Sequence, residues 1–228
     1  NRAIAERIVK YVPDSADFAY TAQDIKAYFA DKSISTLLLI NPDNPSGNFI
    51  PLADLLPLIE WARELGITMI VDESFVDFTD DFANNSLLHN NILEAHSNLV
   101  VVKSISKSYG VPGLRLGVLS SGNKTLIARM KKEVAIWNIN SFAEFYMQIF
   151  GKYEKDYTDA CHKFIKERSL FFEELQAVPY LRVIPSQANY FLCELTGRYS
   201  ATELTQLLLK RCNILIKDCG TKSAFAGK

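Results

Sequence analysis

A lysine in a loop rich in serine and glycine is the residue of this sequence best placed for covalent chemistry. Lys107 lies in the segment 104–117, which follows the apolar run 99–102. A lysine amine attacks a carbonyl when it is partly neutral, and burial or neighbouring cations lower its pKa toward that state. Ser104 precedes it by three residues and Arg115 follows it by eight, and a hydroxyl with a guanidinium fork suits a phosphate group. The alternative is that Lys107 belongs to a solvated face.

A second lysine, Lys103, is the rival amine. It directly follows the apolar residues 100–102, so we expect its side chain to extend along the strand and reach water at the sheet edge. Lys107 is therefore the preferred candidate.

An aspartate closes the apolar run 67–71. Burying the Asp72 carboxylate is costly unless a partner pairs with it, and a protonated ring nitrogen is one such partner. The alternative is a carboxylate in water at the end of a strand. The nearby Glu73 and Asp77 are expected to cap backbone groups or to face the surface.

Two further motifs are less specific. Residues 41–47 contain two X-Pro steps and a glycine, which predicts a rigid, non-helical loop that presents the Asn44 amide to a ligand. A simple turn explains the same residues equally well. Residues 186–192 are expected to be an ordinary strand entry without a catalytic role.

The elements that must position these motifs form a predicted α/β sheet. Apolar runs at 36–41, 67–71, 99–102 and 114–119 predict strands, and helical periodicity between them indicates a mostly parallel sheet. Open α/β sheets bind ligands at the carboxyl ends of their strands. All four motifs, at 41–47, 71–78, 104–117 and 186–192, lie at or just after the carboxyl ends of predicted strands. A helix is expected at 52–65, starting near Asp54 so that Pro57 falls in its first turn.

A second, smaller unit is predicted after a change of pattern near Tyr157. Helices at 124–132 and 142–153 are expected before this change. The second unit is expected to contain helices at 157–177 and 201–211 and strands at 181–184, 188–194 and 213–217. A long helix followed by short mixed elements is typical of a small α+β domain.

Composition excludes several classes of function. The 228 residues carry a formal net charge of −1, so no overall field favours nucleic acid or an anionic membrane. No stretch approaches the roughly 20 apolar residues of a membrane span. The four cysteines and three histidines show no metal-ligand spacing. We therefore expect a soluble, cytoplasmic protein without a metal site.

In order and spacing, the motifs Asn-Pro-Ser-Gly, Asp-Glu-Ser-Phe and Ser-Ile-Ser-Lys with an arginine eight residues later resemble fold-type I pyridoxal-5′-phosphate (PLP) enzymes. The resemblance is to class I/II aminotransferases, in particular the branch of histidinol-phosphate aminotransferases and threonine-phosphate decarboxylases. It implies an aspartate aminotransferase-like fold, in which a mostly parallel sheet has helices on both faces. Residues 1–156 would belong to the large PLP-binding domain and 157–228 to the small α+β domain. Both are expected to be incomplete, because relatives start earlier and continue further.

The resemblance also implies roles for individual residues. Lys107 would form the Schiff base with PLP and carry the proton between substrate and cofactor, and Asp72 would pair with the pyridine nitrogen. Asn44 would donate to the phenolic oxygen, and Ser104 and Arg115 would bind the phosphate. Many relatives have tyrosine at the place of Phe75, and some members of the decarboxylase branch have phenylalanine.

The implied activity is transfer of an amino group between an amino acid and a keto acid or aldehyde. A phosphorylated amino compound is the substrate expected by analogy with the branch. Decarboxylation on the same scaffold is the alternative, and a non-catalytic relative is another. The resemblance further implies a homodimer, to which the aromatic residues within 137–146 could contribute, unless they pack in the core of their own chain.

Overall fold

A four-stranded, mostly parallel sheet organises the computed structural model, which describes residues 7–220. Its strands are β1 (Thr36–Ile40), β2 (Thr68–Asp72), β3 (Leu99–Ser104) and β4 (Gly117–Ser120), in that spatial order. The first three are parallel, and β4 runs antiparallel to β3. The predicted α/β class is confirmed. The ends of the two predicted domains, residues 1–6 and 221–228, lie outside the described residues.

Nine α-helices are described, of which the first five precede β4 in sequence and the last four follow it. They are α1 (Ala22–Phe29), α2 (Leu52–Glu64), α3 (Phe82–Asn85), α4 (Asn90–Ala95), α5 (Ile105–Ser108), α6 (Lys124–Glu133), α7 (Ser141–Phe150), α8 (Glu154–Gln176) and α9 (Ala201–Cys212). Within the described range, no helix combines the length and apolar character needed to cross a membrane.

The hydrophobic core lies between the sheet and the first two long helices. Alternate strand residues such as Leu39, Met69 and Val101 are buried on one sheet face, together with residues of α1 and α2. The apolar run 36–41 predicts a strand buried on both faces, whereas β1 is buried on this face only. The opposite face is less covered, since Leu38 is 63% exposed.

Helix α2 begins earlier than expected. Its first residue is Leu52, so Pro57 lies in the second turn. A proline there removes one backbone hydrogen bond. The fully buried Leu55, Leu58 and Ile59 on the same helix explain the difference, because core packing outweighs local propensity.

The second sheet is smaller than predicted. Strands β5 (Leu181–Val183) and β6 (Cys193–Leu195) pair antiparallel, and residues 188–192 form a loop. The strand expected at 213–217 is absent from the described residues. Asn213 ends α9 in the left-handed conformation, and Ile214 and Leu215 are exposed with no strand beside them.

Helix α8 crosses the boundary that we predicted near Tyr157, because it starts at Glu154. It lies against β5 and against the short 3-10 turn Val76–Phe78. The division into two domains stays a prediction.

Candidate functional site at the carboxyl edge of the sheet

Strand register brings the sequence motifs to one edge of the sheet. Ile40 pairs with Asp72, and Asp72 pairs with Val102, so the three parallel strands end side by side. Gly117 pairs with Ser104 at the start of the antiparallel strand β4, which places Arg115 at that edge as well. Segments that are far apart in sequence therefore meet here.

The Asp72 carboxylate is held by one neighbouring serine. Its Oδ1 accepts hydrogen bonds from the Ser74 backbone N–H, at 2.9 Å, and from the Ser74 hydroxyl. The Ser74 Oγ also accepts from the Ser104 backbone N–H at 2.9 Å, which connects the ends of β2 and β3. No described residue donates to the Oδ2 of Asp72, and the side chain is half-buried. Sequence reasoning missed the role of Ser74.

Lys107 is carried by a helical turn, whereas the sequence predicted a loop. The turn, α5, begins directly after β3, and the Ile105 N–H donates to the Leu116 carbonyl at 3.2 Å. The Lys107 side chain is exposed, and its Nζ lies 4.1 Å from the centroid of the Phe75 ring. The amine therefore rests on an aromatic face, a favourable place for a cation.

Phe75 is in turn held in place by residues 186–192, the last of the four sequence motifs. Its ring makes a T-shaped contact with Tyr190, with centroids 5.1 Å apart, and the Tyr190 hydroxyl donates to the Asp43 carbonyl at 2.8 Å. Burial raises the pKa of Tyr190, and Asp43 and Asp72 add to the increase. Residues 186–192 lead into β6, as predicted, and this loop also packs against the site. That the loop has no catalytic role stays a prediction.

The Asn44 loop is non-helical, as its sequence predicted, and hydrogen bonds close it. The Gly47 N–H donates to the Asp43 carbonyl at 2.9 Å, and the Ser46 hydroxyl donates to the Asp43 carboxylate at 2.6 Å. The Asn44 side chain is exposed on this loop. The loop meets the fourth motif through the Gln187 N–H, which donates to the Gly47 carbonyl at 2.9 Å.

Arg115 is exposed and has a left-handed backbone, with a φ of 57°. Its Nη1 makes one long hydrogen bond of 3.4 Å to the Pro112 carbonyl, and no carboxylate of the described residues forms an ion pair with it. Its guanidinium is therefore available to an anion at this edge. Ser104 contributes its backbone N–H to Ser74, as described above.

Two charged residues differ from expectation, and a third, Glu73, bonds to a backbone N–H as expected. Lys103 does not reach water: it is 7% exposed, and its Nζ pairs with Asp77 Oδ1 at 2.7 Å. Asp77 is buried in the 3-10 turn and does not face the surface. Glu73 is also buried, where it accepts hydrogen bonds from the Leu87 N–H and the Ser86 hydroxyl. Burial raises the pKa of Glu73 to about 7, despite these two donors. An ion pair between residues 26 positions apart leaves no local trace in sequence.

Comparisons with known proteins show which family the chain is similar to. The family model "Aminotransferase class I and II" matches residues 3–224. CMP-5′-(3-aminopropyl)phosphonate synthase of Streptomyces rubellomurinus is 34% identical over 98% of this chain and 35% of its own length. L-serine phosphate decarboxylase of Sulfurospirillum multivorans is 29% identical over 96% of this chain and 57% of its own. The chain thus spans between 35% and 57% of the length of these curated relatives.

A solved structure has the same fold. The histidinol-phosphate aminotransferase of Clostridium acetobutylicum superposes with a TM-score of 0.80 at 29% identity, over 94% of this chain and 61% of that one. The fold of this chain therefore has a counterpart in a histidinol-phosphate aminotransferase. The chain belongs to the class I and II aminotransferase family of PLP-dependent enzymes.

Proposed function

We propose that this protein is a PLP-dependent enzyme that changes a bond at Cα of an amino-acid substrate, with Lys107 as the residue that holds the cofactor. One observation carries the proposal. The Lys107 amine rests 4.1 Å above Phe75, at the sheet edge where Asp72 has an oxygen without a donor among residues 7–220. PLP requires an amine that can bond to its aldehyde and a carboxylate that can pair with its ring nitrogen, and this edge offers both groups.

The residues present fit the cofactor. The open Oδ2 of Asp72 can accept from a protonated ring nitrogen, and its negative charge keeps that nitrogen protonated. Ser74 fixes the carboxylate in place. Arg115 and Ser104 would hold the phosphate, and Asn44 would donate to the phenolic oxygen. These roles follow from position at the edge and from the resemblance of the motifs.

When bound, PLP supplies an electron sink that stabilises negative charge at the substrate Cα. The protein contributes position and proton transfer. The free Lys107 amine would be the base that removes or returns a proton at Cα, because it is exposed at this edge. Phe75 has no hydroxyl, so the phenolic oxygen would depend on Asn44 for its hydrogen bond.

Transamination and decarboxylation are the two candidate reactions. The resemblance of the sequence motifs to aminotransferases favours transamination with a keto acid. Decarboxylation is favoured by the similarity to an L-serine phosphate decarboxylase and by Phe75, which occurs at this place in some members of that branch. Both reactions share the same residues, since the outcome depends on which Cα bond stands perpendicular to the cofactor ring.

Borohydride trapping tests the role of Lys107. Purified protein incubated with PLP and reduced should carry the cofactor on the peptide containing Lys107, and Lys107→Ala should lose the tag. Lys124→Ala is a matched control, because Lys124 starts α6 beyond the opposite end of β4 and should keep the tag. A tag on Lys103 or on any other residue would contradict the proposal.

A product assay separates the two reactions. The protein is supplied with L-amino acids, with and without a side-chain phosphate, in the presence of a keto acid. Release of carbon dioxide indicates decarboxylation, and conversion of the keto acid to its amino acid indicates transamination. If neither product forms with any of these substrates while the borohydride tag is present, the proposed reaction at Cα is wrong.

We also propose that the protein is a homodimer. The segment between α6 and α7 exposes Ile136 and Trp137, each 91% exposed, and the first turn of α7 exposes Phe142. The Asn140 side chain ties this segment to the Leu114 carbonyl at 2.9 Å, so a second copy bound here would lie beside Arg115. Light scattering should report a dimer that dissociates in Trp137→Ser. A monomeric wild type, or a dimer that is unaffected by this change, would refute the interface.

A further inference from the structure

The buried ion pair between Lys103 and Asp77 has no part in the function proposed above. Its atoms lie 2.7 Å apart, and both side chains are about nine-tenths buried. Lys103 belongs to β3, four residues before Lys107, and Asp77 belongs to the 3-10 turn that follows Phe75. The pair therefore connects the two segments that supply the Phe75–Lys107 contact.

Net stability is a poor explanation for this pair. Removing two charges from water costs about as much as their attraction returns, unless every remaining polar atom is satisfied. The Oδ2 of Asp77 is buried and has no hydrogen-bond partner among the described residues. Apolar side chains of similar volume would stabilise the fold at least as well, so the pair is better explained by the geometry that it defines.

The surrounding groups make the pair the polar centre of this part of the protein. The Lys103 Nζ lies 5.9 Å from the centroid of the Tyr109 ring, and Tyr109 stacks on Tyr157 of α8 at 4.2 Å. Burial raises the pKa of Tyr109 to about 12, and the Asp77 carboxylate adds to the increase. The Ser108 and Tyr157 hydroxyls are also buried in this region. Since Ser108 and Tyr109 directly follow Lys107, α5 is packed against this cluster.

We propose that the Lys103–Asp77 ion pair is a positioning unit for Lys107. By fixing the turn after Phe75 against the strand that leads into α5, the pair keeps the Phe75 ring beneath the Lys107 amine. We assign neither residue a contact with substrate or cofactor. The significance of the unit rests on the proposed role of Lys107, but the contact that it maintains exists in the protein alone.

The test measures the reactivity of Lys107 in cofactor-free protein. Purified protein is labelled with an amine-reactive reagent, and the rate at Lys107 is followed by peptide mass spectrometry relative to the exposed Lys124. In Asp77→Asn and Lys103→Met, the Lys107 rate should rise about two- to fivefold, the population change expected when an exposed cation–π contact is lost. Lys103→Arg keeps the ion pair and should label at the wild-type rate.

A structural control separates positioning from loss of stability. The Asn98 side chain donates to the Ile59 and Ile67 carbonyls at the opposite end of β3, so Asn98→Ala should lower the midpoint of unfolding and leave the Lys107 rate unchanged. Wild-type rates in folded Asp77→Asn and Lys103→Met, or a Lys103→Arg protein that behaves like Lys103→Met, would overturn the proposal.

A double variant covers the case in which the single changes prevent folding. Lys103→Met with Asp77→Leu leaves no unpaired buried charge and should fold, and it should show the same increase at Lys107. A wild-type rate in this variant would mean that the position of Lys107 does not depend on the ion pair. Because no PLP is present, this result is independent of the borohydride experiment, and each proposal can fail without the other.

Discussion

Gly47 is the contact point between the Asn44 loop and the loop that carries Tyr190, and replacing it with alanine should separate them. Its backbone has a φ of +74°, and a Cβ built there would lie 2.0 Å from the Ser186 Oγ and 2.5 Å from its Cβ. The Ser186 Cα, at 2.9 Å from that position, belongs to the backbone and cannot rotate away. The change therefore forces the two loops apart and breaks the hydrogen bond between the Gln187 N–H and the Gly47 carbonyl.

Two contributions set the size of the effect. A side chain in the left-handed region costs about 1–2 kcal/mol, and overpacking in a closed site costs about 1–3 kcal/mol. Gly47→Ala should therefore lower the free energy of unfolding by about 2–5 kcal/mol. Gly66 offers a matched control, because its φ is +69° and nothing lies within 4 Å of its Cβ position. Gly66→Ala should show only the first contribution.

Urea denaturation of the two variants measures the difference, which should be about 1–3 kcal/mol. Titration with PLP is the second measurement. Affinity should fall in Gly47→Ala, because the displaced loop carries the Tyr190 side chain that fixes Phe75, and it should be unchanged in Gly66→Ala. Equal losses of stability in the two variants would refute the close approach of Ser186.

Three further predictions concern individual side chains. Asp72→Asn should retain PLP but lose most turnover, because an amide does not keep the ring nitrogen protonated; near-normal turnover would contradict its role. Arg115→Ala should weaken PLP about tenfold to a hundredfold in a titration and leave pyridoxal binding unchanged, whereas equal affinities for PLP in wild type and variant would place Arg115 outside the phosphate site. The pKa of Glu73 is raised from 4.5 to about 7, so the folded state binds its proton more tightly than the unfolded chain does. The stability that Glu73 contributes is complete below pH 4.5 and is lost as the pH rises to about 7. In Glu73→Gln, the midpoint of urea denaturation should no longer fall over this pH range. The same pH dependence in the variant and the wild type would argue against the buried carboxyl.

The positions of the main site residues could be predicted because they depend on local patterns and on chain direction. Apolar runs mark buried parallel strands, and parallel strands bring their carboxyl ends to one edge. Asp72 and Ser104 close two such runs, so their proximity follows from strand direction alone. The register of β2 with β3 agrees with that expectation.

Contacts between distant segments depended on the tertiary structure. The Lys103–Asp77 pair, the packing of Tyr190 on Phe75 and the approach of Ser186 to Gly47 join residues whose local patterns do not refer to each other. Lys103 illustrates the reason. A lysine after an apolar run predicts a side chain that reaches water. Burial of its charge becomes possible only because the fold brings a carboxylate beside it, which offsets the cost of desolvation.

The contrast between local pattern and tertiary contact also explains the elements that differ from the sequence prediction. Residues 213–217 have the apolar composition of a strand, but a strand requires a neighbour for its backbone hydrogen bonds, and none lies beside them within residues 7–220. Pro57 disfavours the helix locally, yet the buried face of α2 retains it. Sequence patterns therefore determined the type of most elements and the edge at which the site lies. The partner of each side chain was decided by tertiary packing, because pairing energies depend on distances that a local pattern does not contain.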